Sequence, residues 1–145
     1  MTHTETMTMA EFISSRKITM TAERVDANPN MDSQDMDHWK VTLRRYVAYL
    51  DRGNGGRSRT LTTYFSMGYG HKGKAPTADK VLDCLASDAH GANSETFEDW
   101  CSNYGYDADS RKAEKTYKAC ERTRDQLRRF LDGDLDTIFY GVERL

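Results

Sequence analysis

Pro76 divides the chain into two periodicities. Between Lys17 and Met67, apolar residues recur at every second position; after Pro76 they recur at every third or fourth. A period of 2 places alternate side chains on opposite faces of a strand, and a period of 3.6 gathers them on one face of a helix. A chain that uses first one period and then the other keeps its strands and helices apart. The expected fold is therefore α+β, a three-stranded antiparallel sheet followed by three to four helices packed on one face. At 145 residues the chain suits one domain, expected over residues 17–145.

Three strand patterns are readable. Ile18, Met20 and Ala22 alternate with Thr19, Thr21 and Glu23, and Asn28-Pro29-Asn30 then signals a turn. After a loop carrying Asp32, Asp35 and Asp37, Trp39, Val41 and Leu43 alternate with Lys40, Thr42 and Arg44, in a pattern that can continue to Tyr49. Gly53-Asn54-Gly55-Gly56 reads as a hairpin connection, because such residues reach positive φ at little cost. Leu61, Thr63, Phe65 and Met67 then alternate with polar residues. The expected meander has one apolar face and one face carrying Lys40, Thr42, Arg44, Arg59, Thr62 and Tyr64. The first 16 residues are expected to be a poorly tied, flexible segment, although Phe12 and Ile13 are compatible with a short anchoring helix.

The helical half is marked by caps. Thr77 suits an N-cap, with Asp79 in the first turn, and Ala78, Val81, Leu82, Leu85 and Ala89 form a stripe expected to stop at His90-Gly91. Thr96 followed by Asp99 resembles a capping box that opens a helix through Phe97, Trp100, Cys101 and Tyr104, ended by Gly105. Asp109 or Ser110 caps a long helix with the stripe Ala113, Tyr117, Cys120, Leu127 and Leu131, broken at Gly133. Leu135, Ile138, Phe139 and Val142 suggest a short last helix.

No apolar run approaches the roughly 20 residues that cross a bilayer, and the first residues lack the basic front and apolar centre of a secretory signal. Three cysteines, an odd number with no close pair, point to reduced thiols in a cytosol. The overall charge of −2 conceals blocks: residues 40–74 carry +7, 79–109 carry −7 and 110–131 carry +5. Such blocks give a protein faces of opposite sign where the elements stay apart, and cancel where the elements pair.

Gly68-Tyr69-Gly70-His71-Lys72-Gly73 matches G-x-G-x-x-G, and Gly68 to Lys74 matches a P-loop up to its last position, where Ala75 replaces the magnesium-binding hydroxyl. Either site needs a parallel βαβ unit with the helix starting at the glycines. Here a hairpin precedes the glycines, Pro76 separates Lys74 from the helix, and no strand follows that helix. The expectation is a bendable connection presenting His71, Lys72 and Lys74 to an anionic partner, with no cofactor. Asp107-Ala108-Asp109 opens like a calcium loop, but the required Gly and Glu are Lys112 and Lys118. Cys84, Cys101 and Cys120 lack zinc spacing and read as core thiols, so no metal site and no catalytic residue is expected.

The surfaces carry the remaining signal. Lys40, Arg44, Arg57, Arg59, Tyr64, His71, Lys72 and Lys74 are candidate partner-binding residues, a mixture of cations and an aromatic suited to phosphates and stacked bases. The long helix adds Arg111, Lys112, Lys115, Lys118, Arg122, Arg124, Arg128 and Arg129. An alternative acidic face of Asp83, Asp88, Glu95, Glu98 and Asp99 could instead enter a groove built for nucleic-acid phosphates.

The stretch from Phe65 to Leu131, about half the chain, resembles a group of small proteins encoded by bacteriophages, prophages and plasmids. The resemblance lies in "FSMGYGHKGKAPTADKVLDCLASDA", "FEDWCSNYGYDADSRKAEKTYKAC" and "LRRFL". It implies a mobile genetic element in a bacterial cell, a setting in which small charge-polarised proteins inhibit host defence, anti-CRISPR proteins among them. The expected function is a non-enzymatic binding protein that blocks a host defence nucleoprotein complex such as a CRISPR effector. The alternatives are an accessory protein that binds nucleic acid through its basic sheet face and helix, and a nucleotide-binding enzyme using the Gly68–Gly73 loop.

Overall fold

The computed structural model describes residues 7–29, 36–48, 56–68, 73–131 and 134–143. In chain order they form β1 (Met7–Thr8), α1 (Met9–Ser15), β2 (Thr19–Val25), β3 (Asp37–Ala48), β4 (Gly56–Met67), α2 (Ala78–Ser94), α3 (Phe97–Tyr104), α4 (Arg111–Leu131), α5 (Leu135–Tyr140) and β5 (Val142–Glu143). The fold is α+β. β2, β3 and β4 make an antiparallel sheet in that order, with Leu43 opposite both Met20 and Leu61. Gly53-Asn54-Gly55, expected to turn the β3–β4 hairpin, lies outside the described residues, as does Gly133 after α4.

Alternation delivers Val41, Leu43 and Leu61 to the inner face of the sheet. There they meet Leu82 of α2, Leu127, Phe130 and Leu131 of α4, and Ile138 of α5 in one core. Each of these side chains is 3% exposed or less, and burying each contributes about 1.5–3 kcal/mol. Phe130 stands outside the stripe readable in the sequence because a helix lying against a sheet buries a face wider than one row.

The N-terminal expectation needs correction from Met7 onward. Thr8 and Glu11 form a reciprocal capping box that starts α1. Phe12 is fully buried in the core, with the Arg16 guanidinium 4.5 Å from its ring centroid. Met7 pairs in parallel with Val142, so residues from near both ends of the described chain meet in a two-stranded sheet. Val142 therefore belongs to a strand and not to the last helix. Asp134 joins the same corner, accepting from Arg16 and Arg45 at 3.3 Å each.

α2 also departs from expectation, running through His90-Gly91 to Ser94. Gly91 serves close packing: a Cβ there would stand 3.2 Å from the Tyr104 hydroxyl and 3.5 Å from Trp100. α3 and the start of α4 form a second, aromatic core in which Trp100 stacks on Tyr106 at 4.9 Å. α4 then closes the end of α2 from the side. The Tyr117 hydroxyl donates to the Glu95 carbonyl at 2.9 Å, and the Arg124 guanidinium donates to the Ala92 carbonyl at 3.2 Å. These contacts satisfy terminal carbonyls that a helix cannot satisfy itself.

Candidate nucleic-acid interface

Of the glycine motif, the structure describes Gly68 and Gly73. Gly73 sits at φ 83°, and its N–H donates to the Asp37 carboxylate at 2.6 Å. Asp37 is itself buried and ion-paired with Arg24 at 2.7 Å. An amide that a phosphate-cradling loop would turn toward its ligand is thus held by a carboxylate of the sheet. Lys74 is exposed beside this clamp, while His71 and Lys72 lie outside the described residues.

The three cysteines differ in exposure. Cys101 and Cys120 are buried as expected, but Cys84 is exposed. Burial, then the Asp88 and Asp83 carboxylates, push the Cys84 thiol up to about 11, although part of the residue reaches solvent. Burial chiefly pushes Cys120 up to about 12. A nucleophilic thiol needs the opposite shift. Among the described residues, no group of three His, Cys, Asp or Glu side chains is placed to hold a metal. Asp107 instead builds a turn, its carboxylate accepting from the Asp109 N–H at 3.1 Å, before Ser110 caps α4.

The acidic candidates do not share one helical face. Asp83 and Asp88 are five residues apart on α2, about 140° around its axis. Glu95 follows that helix, its carbonyl capped by Tyr117, and Glu98 and Asp99 lie in the first turn of α3. Burial pushes the Asp88 carboxyl up to about 6, although part of the residue reaches solvent, and the carboxyl stays mostly ionised at neutral pH.

The sheet divides its cations between two faces. Lys40 and Arg44 are exposed on the outer face, where Lys40 stands between Glu23 on β2 and Tyr64 on β4. Arg59 corrects the expectation. It lies opposite Arg45 and shares parity with buried Leu61, so it belongs to the inner, helix-facing side and not with Lys40 and Arg44. Arg57 has the same parity, opposite Val47, and its side chain lies outside the described residues. Tyr46, 57% exposed, is an outer-face aromatic that the strand pattern contained but did not single out.

α4 gathers its cations where the sheet scatters them. Arg111, Lys115, Lys118, Arg122 and Arg129 are all exposed and fall within a sector of about 60° along about 27 Å of helix. A shallow groove of about 260 Å³ runs along the first four, with Glu114 at its side. The acids of α4 act beside this line. Glu114 pairs with Lys118 at 2.8 Å, while Glu121 and Asp125 engage Arg124, and Asp125 reaches Arg128. Among the described residues no ion pair engages Arg111, Lys115, Arg122 or Arg129. The stripe is long enough to face several consecutive phosphates of one strand, which lie about 3.4 Å apart along a duplex axis.

Among the described residues no helix is long and apolar enough to cross a membrane. No protein-family model, no curated protein and no solved structure matches the chain.

Proposed function

We propose that this chain is a non-enzymatic binding protein of a mobile genetic element that docks on the nucleic acid of a host nucleoprotein complex in the bacterial cytoplasm. The observation that carries this reading is the exposed line of five cations on α4. Side chains at this spacing neutralise backbone phosphates without reading bases, which suits a protein that obstructs a complex whatever sequence it holds. The resemblance of Phe65–Leu131 to proteins of phages and plasmids favours a defence complex as the target, and an RNA-guided CRISPR effector is the sharpest form. The engagement of the Gly73 amide by Asp37 favours this reading over a nucleotide-binding enzyme. The scattering of the acidic residues favours phosphate binding over phosphate mimicry.

Single-stranded RNA and single- and double-stranded DNA, titrated by fluorescence anisotropy at rising salt, test the reading. Log affinity falls linearly with log salt, by about 0.9 per phosphate engaged on duplex DNA and about 0.7 on single strands. The double reversal K115E/R122E lowers affinity at least about tenfold at low salt. Absence of binding by the native protein at low salt, or binding that the reversal leaves intact, rejects the proposal.

A further inference from the structure

Two exposed tyrosines meet α2 at consecutive residues near its C-terminal end. Tyr104, 54% exposed, is the last residue of α3, and its hydroxyl lies 3.2 Å from where a Cβ on Gly91 would stand. Tyr140, 66% exposed, is the last residue of α5, and its ring meets the His90 ring edge-on at 5.7 Å. Trp100 packs on Tyr104 at 5.5 Å, and Phe139 packs on His90 at 5.2 Å and on Tyr140 at 6.1 Å. Both tyrosines are thus held by neighbouring rings and still open to solvent. Ordering such side chains on contact costs little entropy, which suits them as binding anchors.

The helices that carry them are negative. α2, α3 and α5 together contain six acids, Asp79, Asp83, Asp88, Glu98, Asp99 and Asp136, against one lysine, Lys80, in the first turn of α2. None of the three has a cation in its last turn, whereas α4 has Arg128 and Arg129 in its own. Arg124 does reach the end of α2, but the Ala92 carbonyl, Glu121 and Asp125 already engage it. Asp136 is exposed one turn before Tyr140, and among the described residues no ion pair engages it. A field of this sign repels an anion and draws in a cation, and a tyrosine face attracts that cation further.

We propose that the surface carrying Tyr104 and Tyr140 docks an arginine-rich protein segment, whose guanidiniums stack on the tyrosine faces within the negative field of α2, α3 and α5. The occupant follows from the signs of charge. Like charge excludes nucleic acid, and an apolar partner would leave the acids without a counterpart. Arginine fits better than lysine, because its planar guanidinium stacks on a ring and is more weakly hydrated than an ammonium. The acids lie on several helical faces, so they set the sign of the field while the tyrosines make the contact. The two charged regions of the molecule would then take opposite components of a nucleoprotein, phosphates on α4 and a cationic protein segment here. Only the assignment of that segment to the complex whose nucleic acid α4 holds rests on the docking reading above.

A short peptide of alternating Gly and Arg is the probe. Titrated at low salt into isotope-labelled protein, it shifts the amide resonances of His90, Gly91, Tyr104 and Tyr140. It leaves those of Lys115 and Arg122 unmoved, because the stripe repels it. Y140A lowers affinity for the peptide at least about threefold, and so does Y104L, which keeps apolar packing on Trp100 but removes the ring. The matching peptide of Gly and Lys binds more weakly at equal charge. Both tyrosine variants keep oligonucleotide affinity within about twofold of the native protein, because they leave the α4 cations in place. The peptide assay contains no nucleic acid, so it can succeed where the docking reading fails, and fail where that reading holds. A silent titration overturns the proposal, as does binding that both tyrosine variants retain, which would be attraction by the acids alone. Equal affinity for the Gly-Lys peptide overturns the preference for arginine. Self-association of the protein alone in sedimentation velocity, lost in Y140A, would give the surface to a second copy of this chain and overturn it too.

Discussion

The sheet and helix α4 are both rich in cations, yet they place them in opposite ways. In the sheet, alternation sends neighbours to opposite faces: Arg44 is exposed outside, while Arg45 points inside and is only 10% exposed at its side chain. An inward cation must be paired, because an unpaired buried charge costs several kcal/mol. Arg45 accordingly donates to the Leu131 carbonyl at 2.8 Å and to Asp134 at 3.3 Å, tying the sheet to the end of α4. In α4, residues three and four apart share a face, so five of its eight basic residues fall in one line. A strand thus turns a basic sequence into one structural and one surface charge, whereas a helix turns it into a continuous surface.

The largest effect that can break this comparison is on stability. Replacing Arg45 with Met removes the donor from the Leu131 carbonyl and one of the two partners of Asp134. Arg16 still pairs with Asp134, so the loss is smaller than for an abandoned buried charge, about 2 kcal/mol. Arg122→Ala on the stripe changes stability by no more than about 0.5 kcal/mol. Urea unfolding of both variants checks the pair. Equal midpoints for R45M and R122A would show that the inner-face arginine has no structural role.

The same contrast explains what the sequence makes legible. The period switch at Pro76 reveals the α+β order, and the caps at Thr96 and Ser110 fix the starts of α3 and α4, because these signals are local. Gly91 reads as a stop in sequence, but α3 packs on it and the helix continues; only the approach of Trp100 and Tyr104 distinguishes the two roles. Phe12 lies in a Thr- and Met-rich segment and is buried by partners more than a hundred residues away, including Ile138. For Arg59 the alternation is readable, yet the outer face expected for it is the wrong one. It shares odd parity with Leu61, Thr63 and Phe65, and one-residue parity decides which face of a sheet a side chain occupies. The stripe of α4 is present in the numbering alone. Its separation from Arg124 and Arg128 needed the positions of Glu121, Asp125 and the α2 terminus.

A second test sets the exposed cations of the sheet against those of the helix. In the native sheet Lys40 stands opposite Glu23, so part of its field is already offset. The reversal K40E/R44E therefore lowers oligonucleotide affinity by less than about threefold, against at least about tenfold for K115E/R122E. A larger loss for the sheet variant would move the interface to the outer face around Tyr46 and Tyr64.

The smallest effect sharpens the stripe itself. Glu114 is the acid placed directly against it, 2.8 Å from the Lys118 ammonium. The hydrogen bond to Lys118, and then its charge, hold the Glu114 carboxyl below the usual range, and the same contact raises Lys118. Both groups are therefore charged at neutral pH, and Lys118 is partly engaged before any phosphate arrives. Glu114→Gln releases it, raising affinity about two- to threefold and steepening the log–log salt slope on duplex DNA by up to about 0.9, the value of one added phosphate contact. The sign of the pH dependence follows from the lowered carboxyl. The pair persists above the ordinary carboxylate range and is lost as pH falls through the native value, so native and E114Q affinities converge in acid. Parallel salt slopes at neutral pH would mean that Lys118 contributes charge to the helix but no phosphate contact, and the stripe would shorten to Arg111, Lys115, Arg122 and Arg129.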